Sequence, residues 1–85
     1  MPARQFLIPN KIRKKVHTLP EEVKKRLARA LLGIRENPVS GAKLHGEMAS
    51  YYKIRVGDYR IVYSFDAKES KVEIIKIEHR QGEYK

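Results

Sequence analysis

Eighty-five residues make a single domain, 1–85, with room for only a thin core. Lys and Arg number 19 against 10 Asp and Glu, a formal charge of +9 with a pI near 10.0, so the favoured partners are polyanions, nucleic acid first and a membrane surface second. The absence of cysteine excludes disulfides, thiolate catalysis and cysteine metal sites. Hydrophobic content of 41% beside 34% charged residues fits a folded globular domain rather than a disordered chain. No apolar run approaches the roughly 20 residues that span a bilayer. At the N-terminus Arg4 and Pro9 bracket only Phe6-Leu7-Ile8, so no secretory leader is expected and the cytoplasm is the expected compartment.

In chain order, residues 3–8 predict a short strand stopped by Pro9. Asn10 is a candidate N-cap for a helix beginning at Lys11. Ile12, Val16 and Leu19 form its apolar stripe, with Lys11, Arg13, Lys14 and Lys15 on the remaining surface. Pro20 is expected in the first turn of a second helix running to Glu36, with Glu21 and Glu22 at the positive end of its dipole. Val23, Leu27, Ala30, Leu31 and Ile34 give that helix its core face, and Lys24, Lys25, Arg26 and Arg29 its outer face. Asn37-Pro38 ends it. Residues 38–50 carry loop signals, with Leu44 as their apolar anchor.

Tyr52, Ile54 and Val56 then alternate with Tyr51, Lys53 and Arg55, the period of a half-buried strand. After Gly57-Asp58 the alternation resumes through Tyr59, Ile61, Tyr63 and Phe65. A two-residue loop opening on glycine suits a type II′ hairpin turn. It sets Val56 opposite Tyr59, Arg55 opposite Arg60, Ile54 opposite Ile61 and Lys53 opposite Val62. Like charges facing each other destabilise a strand pair. At about 5 Å the repulsion is roughly 1 kcal/mol in water and about 3 at an effective dielectric of 20. The expectation is a face that awaits an anion. A polar turn over 66–70 leads to a third long strand, Val72 to Glu78, and the tail from His79 onward has no period. The architecture expected is α+β: an N-terminal strand, a two-helix hairpin and a three-stranded antiparallel meander completing one sheet.

His17, His45 and His79 are dispersed and no acidic ligand cluster accompanies them, so no metal and no cofactor is expected. No nucleophilic serine motif, P-loop or dinucleotide fingerprint occurs. The candidates left for chemistry are Lys53, Arg55, Arg60, Arg80 and Tyr84. The strand residue Tyr51 shares the cationic parity and can stack on a base.

These residues carry a resemblance to the RelE/ParE toxin superfamily of bacterial type II toxin–antitoxin systems. It rests on Leu44-His45-Gly46, on the run Tyr52-Lys53-Ile54-Arg55-Val56-Gly57-Asp58-Tyr59-Arg60-Ile61-Val62-Tyr63, and on His79-Arg80 followed by Tyr84. The order of elements agrees over nearly the whole chain. The resemblance implies a RelE-like fold, an antitoxin partner, and one of two activities. RelE-like members cut mRNA in the ribosomal A site, whereas ParE-like members poison DNA gyrase. By position, the resemblance makes Lys53 and Arg55 the second-strand pair of the RelE-like site, Arg60 its third-strand arginine, Arg80 its late arginine and Tyr84 its late tyrosine. Arginine at 55 replaces the lysine of some relatives.

Cleavage by the RNA's own 2′-hydroxyl needs a base, charge stabilisation at the phosphorane-like transition state and an acid for the 5′-oxygen, and needs no metal where cations are preorganised. Arg55 and Arg60 supply planar donors for phosphate. Lys53 is the candidate base, since neighbouring cations favour the neutral form of a lysine. Arg80 is placed to stabilise the transition state, and Tyr84 to stack on a base or orient the hydroxyl. The preferred expectation is a ribosome-dependent, metal-independent mRNA endonuclease. Lys11, Arg13, Lys14, Lys15, Lys24, Lys25, Arg29 and Tyr51 would contact RNA. A ParE-like gyrase inhibitor and a non-toxic nucleic-acid-binding domain stand as the alternatives.

Overall fold

The computed structural model describes residues 2–44 and 51–79. They form β1 (Gln5–Leu7), α1 (Asn10–His17), α2 (Glu21–Glu36), β2 (Ala42–Lys43), β3 (Tyr51–Val56), β4 (Tyr59–Asp66) and β5 (Lys71–His79). The strands make one mixed sheet in the order β1-β5-β4-β3-β2, with β1 parallel to β5 and the other neighbours antiparallel. The α+β expectation therefore holds, with one element added. Residues 42–43, expected in a loop, pair with Lys53 and Tyr52 as an edge strand. Two residues are too few to show a period, which is why the pattern could not reveal them.

Both helices begin differently from expectation. Pro9 caps α1, so Asn10 is its first helical residue rather than its cap, and no side chain caps either helix. Pro20 likewise precedes α2 as its cap instead of lying in its first turn. The reason is common to both: the prolines have ψ near 146° and 149°, outside the helical region, and offer a carbonyl to the first turn. Ile12 and Arg13 donate to the Pro9 carbonyl and Lys24 to that of Pro20.

Both helices pack on one face of the sheet. Ile12 of α1 and Leu27 and Ile34 of α2 bury against Tyr52, Ile61, Tyr63, Val72, Ile74 and Ile77, with Ile54, Val56, Tyr59 and Phe65 partly covered around them. The other sheet face carries the alternate residues. Among the described residues no helix lies on it. The N-terminus is tied in by Ala3, whose N–H donates to the Arg35 carbonyl at 2.7 Å, and by Arg4 and Gln5, which donate to the Ser70 carbonyl.

Among the described residues, strand β5 contains one change of phase. Val62 pairs with Lys76 but Tyr63 pairs with Ile74, which leaves Ile75 as an extra residue. Such a bulge reverses the facing of everything beyond it. Val72 and Ile74 face the helices, then Ile77 does, while Lys76 and Glu78 turn to the opposite face.

Tyr63 anchors the loop between α2 and β2. Its ring stacks on Tyr52 at 5.4 Å, its hydroxyl donates to the Pro38 carbonyl at 2.8 Å, and it accepts from the Gly41 N–H at 3.1 Å. A Cβ at position 41 would lie 2.8 Å from that hydroxyl and 2.9 Å from the Lys53 carbonyl, so glycine is required there. Burial raises the Tyr63 pKa above its ordinary 10.0, the hydrogen bond from Gly41 opposing in part. The folded state thus holds this proton more tightly than the unfolded chain. Its contribution to stability is complete below pH 10 and is lost as pH rises through the raised value. Tyr63→Phe should lower Tm at neutral pH, leaving the Pro38 carbonyl and Gly41 N–H unsatisfied at a cost of about 1–3 kcal/mol. Between pH 9 and 11.5 its Tm should fall less steeply than that of the unaltered protein, which a thermal series across that range measures.

Candidate nucleic-acid interface

The β3–β4 hairpin has the register its alternation predicts. Val56 pairs with Tyr59, Arg55 with Arg60, Ile54 with Ile61 and Lys53 with Val62. Gly57 has φ of +60° and Asp58 a negative φ, the signs of a type II′ turn. Because Ile54, Ile61 and Tyr63 face the helices, Lys53, Arg55 and Arg60 share the open face. Their rows can be read from the pairings. At the hairpin end lie Arg55, Arg60 and Glu78; next come Lys53, Val62 and Lys76; then Tyr51, Ser64 and Glu73.

Two features of that face were not among the sequence expectations. The first is Glu78: its Oε1 accepts from Arg60 Nη2 at 2.9 Å and lies 3.4 Å from Lys76 Nζ. Arg60 thus has an arginine opposite it on one side and a carboxylate on the other. One arginine of the pair is already matched by an internal anion. The second is Lys76, a cation missing from the sequence candidates. The signal for both is the phase break in Val72-Glu73-Ile74-Ile75-Lys76-Ile77, where two adjacent isoleucines mark the bulge. Val62, in the middle of the lysine row, is only 5% exposed, so the cations surround an apolar spot.

Lys53 and Arg55 are exposed and Tyr51 is half-buried. Arg80 and Tyr84, and also His45, lie outside the described residues. The helix cations Lys11, Arg13, Lys14, Lys15, Lys25 and Arg29 are exposed, on the outer side of the helical layer, away from the sheet's open face. The structure therefore does not bring them together with Lys53, Arg55 and Arg60. Lys24 is engaged within the fold, donating to the His17 carbonyl at the C-terminus of α1 and pairing with Glu21, each at 3.4 Å. Arg26, left out of the candidate contacts, reaches the β3–β4 turn: its Nη1 is 3.6 Å from where a Gly57 side chain would begin. It adds a helix cation to the end of the domain that holds Arg55 and Arg60.

His17 is exposed on α1. The His79 ring meets Tyr59 edge-on at 4.9 Å. Among the described residues no group of three His, Cys, Asp or Glu could hold a metal ion, and no helix is long and apolar enough to cross a membrane. What the open face offers chemically is a pair of guanidinium forks, two ammonium groups and the carboxylate of Glu78, with that of Glu73 two rows from the hairpin end. Guanidinium planes match phosphate in a bidentate geometry that ammonium groups lack.

Fold and site define a small two-layer α+β domain that presents a cation-rich sheet face. A family model described as the ParE toxin of type II toxin–antitoxin systems, parDE, matches residues 8–84. Toxin RelE of Mycobacterium tuberculosis is 33% identical over 69 residues, which are 79% of this chain and 71% of that protein. The fold is similar to an archaeal RelE–RelB complex from Pyrococcus horikoshii OT3, with TM-score 0.78 and 26% identity over 92% of this chain and 96% of that one. It is also similar to the RelBE2 toxin–antitoxin complex of Mycobacterium tuberculosis, with TM-score 0.78 and 24% identity over 94% of this chain and 100% of that one. The chain belongs to the RelE/ParE family of type II toxin–antitoxin toxins.

Proposed function

We propose that this toxin is a ribosome-dependent, metal-independent mRNA endonuclease, active in the cytoplasm and held inactive by a cognate antitoxin protein. One observation carries the reading: Arg55 and Arg60 lie directly opposite each other on the open face, with Lys53 one row along. Such opposition lowers stability, Glu78 offsets it only on the Arg60 side, and a bound anion relieves the remainder. A phosphodiester of mRNA is the anion, with Tyr51 stacking beside it. The helix cations, on the other side of the domain, suit the phosphates of ribosomal RNA. The similarity to RelE–RelB complexes supports the antitoxin partner.

Translating ribosomes incubated with the purified toxin in EDTA-tolerant conditions provide the test, with metal chelated to the limit that ribosomes withstand. Cleaved mRNA ending in a 2′,3′-cyclic phosphate is the expected product. Intact mRNA in the presence of folded toxin removes the proposal. The ParE description of the matching family model favours a second reading, gyrase poisoning. That reading predicts DNA-damage signalling and gyrase inhibition while mRNA stays whole.

A further inference from the structure

The carboxylate built into the cationic face is the least expected feature of the molecule. A glutamate beside a phosphate seat repels the ligand, so a seat serving only to bind would be better without it. We infer that Glu78 is a further catalytic residue, the base that takes the proton from the attacking 2′-hydroxyl; this rests on the endonuclease reading above.

Three observations support the assignment. Glu78 contacts Arg60 at 2.9 Å, so a phosphate held by the Arg55 and Arg60 forks lies one side chain from its oxygens. The 2′-oxygen adjoins the scissile phosphate, within the hydrogen-bonding reach a base requires. The bulge at Ile75 turns Glu78 onto this face, where unbroken alternation would have sent it toward the helices. Chemistry adds a fourth argument. A glutamate, with an ordinary pKa of about 4.3, is already in its base form at pH 7, whereas an ordinary lysine is neutral only about once in 2,500. Among the described residues, the charged groups facing Glu78 are Arg60 and, across it, Arg55 on the neighbouring strands, and Lys76 on its own strand.

In the step, Glu78 accepts the 2′-hydroxyl proton and the 2′-oxygen forms a bond to phosphorus. The bond from phosphorus to the 5′-oxygen breaks, and that oxygen leaves with a proton from the Lys53 ammonium. The products are a 2′,3′-cyclic phosphate and a free 5′-hydroxyl. Water then returns the proton from Glu78 to Lys53. Lys53 thereby becomes the acid of the site rather than its base.

Single-turnover cleavage on mRNA-programmed ribosomes, followed from pH 5 to 8.5, tests the assignment with Glu78→Gln and Glu78→Asp. The amide of the Gln variant still accepts a hydrogen bond from Arg60 but cannot take a proton. Its cleavage rate should fall by about 10²–10⁴-fold, the usual contribution of a general base. Binding to ribosomes carrying a 2′-deoxy nucleotide at the cleavage position should change less than about twofold or tighten. Glu78→Asp, with a carboxylate on a shorter stem, should keep more activity than the Gln variant and the same fall in rate at acid pH. Wild-type cleavage that Glu78→Gln matches within about tenfold, or exceeds, overturns the role of Glu78 alone. Intact mRNA with the wild-type toxin overturns the endonuclease reading and this inference together.

Discussion

Alanine at Arg60 should abolish growth arrest while the protein stays folded, and alanine at Arg55 should do the same while raising Tm. This pair of outcomes follows from the hairpin register. On the endonuclease reading, each guanidinium lost from the seat removes a preorganised donor to the transition state, for which a loss of about 10²–10³ in cleavage rate is typical. Stability moves differently at the two positions. Arg55 is exposed and opposes a like charge, so its removal relieves repulsion. The gain is a few tenths of a kcal/mol, or roughly 1–4 °C. Arg60 pairs with Glu78, and both side chains are about two-thirds covered, at 32% and 26% exposure, so its removal costs some stability. Thermal unfolding beside a growth assay separates these effects. An Arg55→Ala protein that melts lower and still arrests growth would show that the face had been misread.

A second large effect belongs to the core. Leu27 is fully buried between α2 and the sheet. Truncating a buried leucine to alanine costs about 2–5 kcal/mol. An 85-residue domain has only about 4–13 kcal/mol in total. Leu27→Ala should therefore lower the urea midpoint sharply with little change in the slope of the transition. It should also weaken toxicity at 37 °C more than at 25 °C, through loss of folded protein. Arg60→Ala should abolish toxicity at both temperatures, so the two mechanisms are distinguishable in one plate assay.

The central hairpin was legible because two strong constraints coincide there. A strict alternation fixes which residues face the core, and a two-residue turn fixes the pairing, so Arg55 opposite Arg60 follows from arithmetic. The helices were legible from their apolar stripes, although the prolines act one position earlier than propensity suggests. The third strand was only half legible. Its two consecutive isoleucines satisfy either phase, and the phase chosen decides whether Lys76 and Glu78 belong to the core side or to the site. Strand β2 has no pattern at all; it exists because Gly41 lets the chain approach the Lys53 carbonyl and the Tyr63 hydroxyl. Net charge pointed correctly to a basic surface but not to its division, with helix cations on one side and sheet cations on the other.

The flanks of the sheet have a consequence for the toxin in solution. Among the described residues, its longest strands, β4 and β5, are interior, while its margins are the three residues of β1 and the two of β2. Unpaired backbone on a long flat margin is the template on which chains add to one another and grow into fibres. Margins this short provide few rungs for such growth, and a formal charge of +9 keeps copies apart as they approach. A toxin with short margins and the same charge on every copy thereby resists adding to its own kind.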